Sequence, residues 1–282
     1  DHTTHIMVTL PADAAEDSAL VEDLIDSGMR AARINCAHDD AQAWAAMAET
    51  VRRVAAAKQL PVRILMDLAG PKCRTGEVFV SGDSEKLRAG DRLLLTAPGT
   101  GFDESFRFQA SCTLPEALSA AAIGARLAID DGHALGRIEK RHENGLVVLI
   151  EATREKGAKL KTGKGLNFPD TEIATPALTA EDLRALDTVA HTADMIGYSF
   201  VQSAEDIATL QAALAERRHD WRRLPIVAKI ETPKAVRNLP DIIVRAAGIQ
   251  PLGVMIARGD LAVEIGYARL AEMQEEILWL CE

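Results

Sequence analysis

Toward both ends of this chain, short apolar stretches alternate with stretches of helical spacing. No other feature limits the fold so tightly. "HIMVTLP" (5–11), "AARINCAH" (31–38) and "PVRILMDLAG" (61–70) have the length and β-branched content of strands. Between them, "EDSALVEDLIDSGM" (16–29) sets Leu20, Val21, Leu24 and Ile25 on one helical face, and "AQAWAAMAETVRRVAAAK" (41–58) is an Ala-rich helix. The alternation resumes after 164. "DMIGYSFV" (194–201), "PIVAKIE" (225–231) and "LGVMIARGD" (252–260) predict strands, the last of them fully buried. "TAEDLRALDTVAH" (179–191), "SAEDIATLQAALAERR" (203–218) and "ARLAEMQEEILWLCE" (268–282) predict helices, the first opened by a Thr-x-x-Asp capping pattern. Strands separated by helices of this length build parallel βαβ units. Six strands are expected where a (β/α)8 barrel has eight, so the fold class is α/β, a TIM-type barrel truncated after six strands.

The block 77–163 breaks the pattern. It is rich in Gly, Thr and short alternating runs such as "EKLRAGDRLLLTA" and "NGLVVLIEA", with turn signals at Asp131-Gly132 and Asn144-Gly145. It predicts a small all-β domain of antiparallel strands inserted after strand three. The expected organisation is a first barrel segment at 1–76, the insert at 77–163 and a second barrel segment at 164–282.

Composition narrows the function classes. A net charge of -10 with no basic block excludes non-specific nucleic-acid binding. No apolar run approaches membrane-spanning length, so no membrane partner is expected. The four cysteines, Cys36, Cys73, Cys112 and Cys281, are far apart and show no CxxC spacing. Reduced, inert thiols in the cytoplasm are expected. The N-terminal DHTTHIM lacks both an initiating Met and an apolar signal core, which predicts a fragment of a longer chain and no signal peptide.

The polar residues gather at the strand ends. Arg33 and Asn35 end strand two; Asp67, Lys72 and Arg74 follow strand three; Ser199 ends strand four; Lys229 and Glu231 end strand five; Arg258, Asp260 and Glu264 follow strand six. In a parallel barrel these ends meet at one face, where such barrels carry their sites. Glu231 and Asp260 offer two hard oxygen ligands to Mg2+ or Mn2+, with waters and substrate oxygens in the remaining positions. Lys229, two residues before Glu231, lies on the same side of its strand and suits a transferring phosphoryl group or a developing enolate. Arg33 and Arg74 suit phosphate oxygens. Plainer roles fit other features. "IDDG" (129–132) reads as a turn, and His38 and His133 as hydrogen-bonded structural groups. Arg258-Gly259-Asp260 spells a cell-adhesion tripeptide, but its flanks are apolar strand rather than exposed loop.

"RINCAH", "MDLAGPKCRTG", "KGLNFPDTEIATPALTAEDL", "SFVQSAED", "KIE" and "MIARGDLAVE" occur in the order and spacing of one family. Over nearly its whole length the chain resembles pyruvate kinase, specifically its barrel and inserted B domain. The resemblance implies phosphoryl transfer from phosphoenolpyruvate to ADP, giving pyruvate and ATP. It implies Glu231 and Asp260 on Mg2+ or Mn2+, and Lys229, Arg33, Arg74 and Lys72 in catalysis. Arg33, Asn35, Ser199, Lys229, Gly259 and Asp260 would contact substrate, with Asn35, Asp67 and Lys72 around the monovalent-cation site. A homo-oligomer is also implied.

The departures have consequences. The family's Ser is Ala37, and the Thr and Lys after the third-strand Asp are Leu68 and Ala69. Two potassium-ligand oxygens are therefore gone. The usual Glu is Lys72, whose ammonium can do the electrostatic work of K+, so K+-independent activity is expected. The site around Asp39 and Asp40 departs from the family's His-Gly, and the chain stops before the segment carrying the family's proton-delivering Thr. Two other readings compete: a metal-dependent lyase or aldolase acting through the pyruvate enolate, and a catalytically silent relative serving as a binding or regulatory module.

Overall fold

The computed structural model describes residues 4–82 and 84–282; residues 1–3 of the DHTTHIM segment lie outside it. The chain divides into two compact units. One comprises 1–70, 176–256 and 277–282, the other 71–175 and 257–276.

The first unit is built on a six-stranded, all-parallel sheet. Its strands are β1 (Ile6–Thr9), β2 (Met29–Asn35), β3 (Arg63–Asp67), β4 (Met195–Tyr198), β5 (Ile226–Ile230) and β6 (Leu252–Ile256), hydrogen-bonded in that order. This is the curled, incomplete barrel sheet that the alternation predicts. The register sets Asn35 beside Asp67 across β2 and β3, and Asp67 beside Gly197 across β3 and β4. The strand ends that carry polar residues are thereby brought level.

Helices cover the sheet. In Ala41–Lys58, the buried residues Trp44, Met47, Ala48, Val51, Val54 and Ala55 recur at helical spacing and join the core of Ile34, Ile64, Met66 and Ile196. Each large apolar side chain buried this way contributes about 1.5–3 kcal/mol. Ala180–Thr192 opens with the expected capping box, in which Thr179 and Asp182 satisfy each other's backbone N–H groups. Ala204–Arg217 opens with a second, between Ser203 and Asp206. Asp39, where the family's motif has glycine, takes a left-handed φ of 61°, a conformation that Asp tolerates better than most residues.

Two expectations about the last strand are corrected. It ends at Ile256, and Arg258–Ile265 is a helix, so Arg258, Gly259 and Asp260 form a helical turn rather than a strand end. Its five residues are also half-buried, because β6 is an edge strand that pairs only with β5 among the described residues. The helices Pro233–Arg237 and Leu239–Ala247 were not predicted; both carry proline in the first turn, where its missing N–H costs nothing.

The second unit holds a seven-stranded sheet around its own core, which includes Leu93, Leu95, Phe108, Ile138, Leu146, Val148 and Ile150. Ala134–His142 and Gly145–Thr153 form the expected hairpin at Asn144-Gly145. Asp130, Asp131 and Gly132 all have positive φ, as a tight turn at "IDDG" requires. The all-antiparallel expectation is corrected at one pair. Arg92–Thr96 and Phe108–Cys112 run parallel, because the connection 97–107 is long enough to carry the chain back. A short helix, Pro115–Ala120, also interrupts the strands.

Candidate active site

In the first unit, the ends of β2, β3, β4 and β5 converge on the Asp67 carboxylate, only 1% of which is exposed. Arg33 donates to Asp67 Oδ2 from Nε at 2.9 Å and, more closely, from Nη2; its Nη1 donates to Thr9 Oγ1 at 2.9 Å. Lys229 Nζ lies 3.2 Å from the same Oδ2, 3.1 Å from Glu231 Oε1 and 2.8 Å from Ser199 Oγ. Ser199 accepts that lysine proton and donates its own to the Leu68 carbonyl at 2.6 Å. Two cations and two carboxylates thus balance within one buried cluster, as burial of charge requires.

Burial by itself lowers the Lys229 pKa. Glu231 and Asp67 outweigh it and hold the ammonium above its ordinary value, so Lys229 is charged at neutral pH. Next to the cluster, burial first and then the nearby Asp67 and Asp182 carboxylates push the Cys36 thiol up to about 12. That thiol is no nucleophile at neutral pH.

Two backbone features shape the cluster. Gly197 has no room for a side chain, since a Cβ there would stand 2.5 Å from Asp67 Oδ1. Phe200 holds a left-handed φ of 56°, unfavourable for a bulky residue. In that conformation its N–H donates to Glu231 Oε2 at 2.6 Å and fixes the carboxylate's direction.

Of the residues singled out by sequence, this unit brings together Arg33, Asp67, Ser199, Lys229 and Glu231. Asn35 is level with Asp67, and its side-chain oxygen accepts the Ala37 N–H at 3.2 Å. Sequence reasoning missed Gly197, Phe200 and Thr9. A glycine before the Tyr-Ser strand end was the one available signal; nothing in the sequence marks Phe200 as left-handed.

The second unit contains Lys72, Arg74, Gly259 and Asp260. Lys72 Nζ bonds Asp260 Oδ1 at 2.8 Å, with side-chain exposures of 24% and 20%. Glu264 accepts from Asn167 at 2.9 Å, and burial raises its pKa above the ordinary carboxylate value. The Arg74 guanidinium donates to the Gly163 carbonyl at 2.9 Å, and Gly259 lies in the first turn of the helix that carries Asp260. His133 is structural, as expected: its Nδ1 and the Lys164 ammonium both engage Asp130.

The family description "Pyruvate kinase, barrel domain" matches residues 1–282. The chain belongs to the pyruvate kinase family. The pyruvate kinase of Thermococcus litoralis is 35% identical over 278 residues, covering 98% of this chain and 55% of that protein. Human pyruvate kinase PKLR is 30% identical over 292 residues, covering 99% and 48%. The pyruvate kinase of Methylorubrum extorquens is 33% identical over 275 residues, covering 97% and 53%. The chain spans about half the length of these relatives. Among the described residues, no helix is long and apolar enough to cross a membrane.

Proposed function

We propose that this protein transfers a phosphoryl group from phosphoenolpyruvate to ADP, giving pyruvate and ATP, in the cytoplasm and as a homo-oligomer. The observation that carries this reading is the Lys229 ammonium. It is fixed at a barrel strand end by Asp67, Glu231 and Ser199 in a chain of the pyruvate kinase family.

Lys229 supplies a preorganised positive charge where negative charge develops on the phosphoryl oxygens and the enolate. Asp67 and Ser199 hold that charge in place without reorganisation during the reaction. Arg33 is anchored through Nε and Nη2 and presents a planar donor fork suited to phosphate. Arg74 is assigned the same task, and Asn35, Ser199 and Gly259 are assigned to substrate.

The donor chemistry fits a hard divalent cation. Glu231 and Asp260 are assigned to it and provide carboxylate oxygens only. Mg2+ or Mn2+ suits such a set because it keeps waters and substrate oxygens. When bound, it would neutralise phosphate charge and polarise the substrate oxygens. Lys72, which pairs with Asp260, is assigned the electrostatic work of K+.

The test is pyruvate formation by the full-length protein from phosphoenolpyruvate, ADP and Mg2+, with and without K+. Turnover that K+ does not increase is the expected result. Wild-type turnover that appears only with K+ removes the role given to Lys72. Absence of turnover with either salt removes the kinase reading.

A further inference from the structure

The sequence gives no role to the cysteines, yet the fold of the second unit brings two of them into contact. Cys73 Sγ and Cys112 Sγ stand 3.2 Å apart, both buried, although 39 positions separate them in the chain. Their backbones are already tied together. Arg74 N–H donates to Thr113 Oγ1 at 2.9 Å, Thr113 N–H donates to the Arg74 carbonyl at 2.9 Å, and Thr75 pairs with Cys112 across the sheet. The loop-closure entropy for meeting is thus spent in folding. A disulfide has S–S near 2.05 Å, so the sulfurs need to approach by only about 1 Å.

We propose that Cys73 and Cys112 form a redox-modification site, a thiol pair that a peroxide converts to a disulfide and a dithiol restores. The Cys112 thiolate attacks one peroxide oxygen; the O–O bond breaks, and the departing hydroxide takes up the proton released from Cys112 as water. The Cys73 sulfur then attacks the Cys112 sulfenic sulfur. The S–S bond forms, the S–OH bond breaks, and the hydroxide leaves with the Cys73 proton as a second water. Two thiols lose two electrons, and the peroxide gains them.

The assignment of roles follows from the hydrogen bonds. The Cys112 thiol donates to the Leu114 carbonyl at 3.2 Å, which leaves its sulfur to accept from Cys73, and that bond from Cys73 holds the Cys112 thiol below its ordinary pKa. Cys112 is therefore the first of the two to ionise, and Cys73 resolves the sulfenic acid. Cys36 and Cys281 have no sulfur partner among the described residues and lie outside the pair. Because Cys73 stands between Lys72 and Arg74, the cross-link fixes the segment that carries both to the strand Phe108–Cys112. The proposal does not depend on the catalytic reading above.

The test uses the full chain treated with hydrogen peroxide, followed by thiol titration after denaturation and non-reducing peptide mapping. The expected result is a fall from four titratable thiols to two. It is accompanied by loss of the mass of two hydrogen atoms, a peptide linking Cys73 to Cys112, and full reversal by dithiothreitol. The oxidised form should also show slower amide exchange at 73–75. A Cys36→Ser/Cys281→Ser variant should cross-link as the wild type does, while Cys112→Ala should not. Peroxide that leaves Cys73 and Cys112 free, that oxidises them only to sulfinic or sulfonic acids, or that links either to another cysteine overturns the proposal. Because the peptide map is read on the wild-type chain, a Cys112→Ala variant that fails to fold does not blunt the test.

Discussion

In the parallel-sheet unit, the Lys229 ammonium meets carboxylates whose side chains are 1% and 2% exposed. In the second unit, Lys72 and Asp260 keep 24% and 20% of theirs in solvent. Both are lysine–carboxylate pairs at short distance, but their energetics differ. Around Lys229, water is excluded, a neutral balance of charges is required, and each group is fixed by two or more partners. Around Lys72, solvent screens the pair, and its contribution to stability is at most about 1 kcal/mol. A buried cluster of this kind is a place for electrostatic preorganisation. A partly exposed pair can exchange partners at little cost.

Removing Asp67 tests the contrast most severely. Asp67→Ala leaves Arg33 and Lys229 facing Glu231 alone, and is expected to cost about 3–5 kcal/mol in denaturant unfolding. Lys72→Ala, measured in the same way, should cost about 1 kcal/mol or less. Equal losses would erase the distinction. Gly197→Ala comes next. Its Cβ would press on Asp67 Oδ1, and overpacking of this kind costs about 1–3 kcal/mol, read as a fall in Tm without loss of secondary structure.

The smallest expected effect lies in the second unit. Arg126 forms a bidentate pair with Asp170 and lowers the Asp170 pKa from 3.8 to about 2. A depressed carboxylate pKa contributes stability above its unfolded value and loses it as pH falls through the folded one. The pair is largely exposed, so the contribution is below about 1 kcal/mol. It should disappear between pH 3.8 and about 2, and an Asp170→Asn variant should lack that component of the acid transition.

The same contrast explains what the sequence reveals. The barrel strands and helices are legible because each buries one face, so their periodicity is written in apolar residues; Ala41–Lys58 falls within the bounds its pattern predicts. The charged strand ends are legible because Arg33, Asp67, Lys229 and Glu231 interrupt apolar runs. Less visible is whatever depends on backbone conformation or on contacts distant in sequence. The left-handed turn at Phe200, the helix that begins at Arg258 and the meeting of Cys73 with Cys112 have no periodic signature. In the insert, the parallel pairing of Arg92–Thr96 with Phe108–Cys112 depends on a loop's path rather than on either strand's composition.

Phosphoryl transfer at the Lys229 cluster is tested most directly by measuring pyruvate formation from phosphoenolpyruvate, ADP and Mg2+. The full-length protein and its Lys229→Met variant are compared, with the thermal unfolding of both recorded. A folded Lys229→Met protein is expected to lose at least about 10²–10³-fold in turnover, the scale of removing one preorganised charge-stabilising donor. Turnover close to that of the wild type in the folded variant would contradict the role given to Lys229.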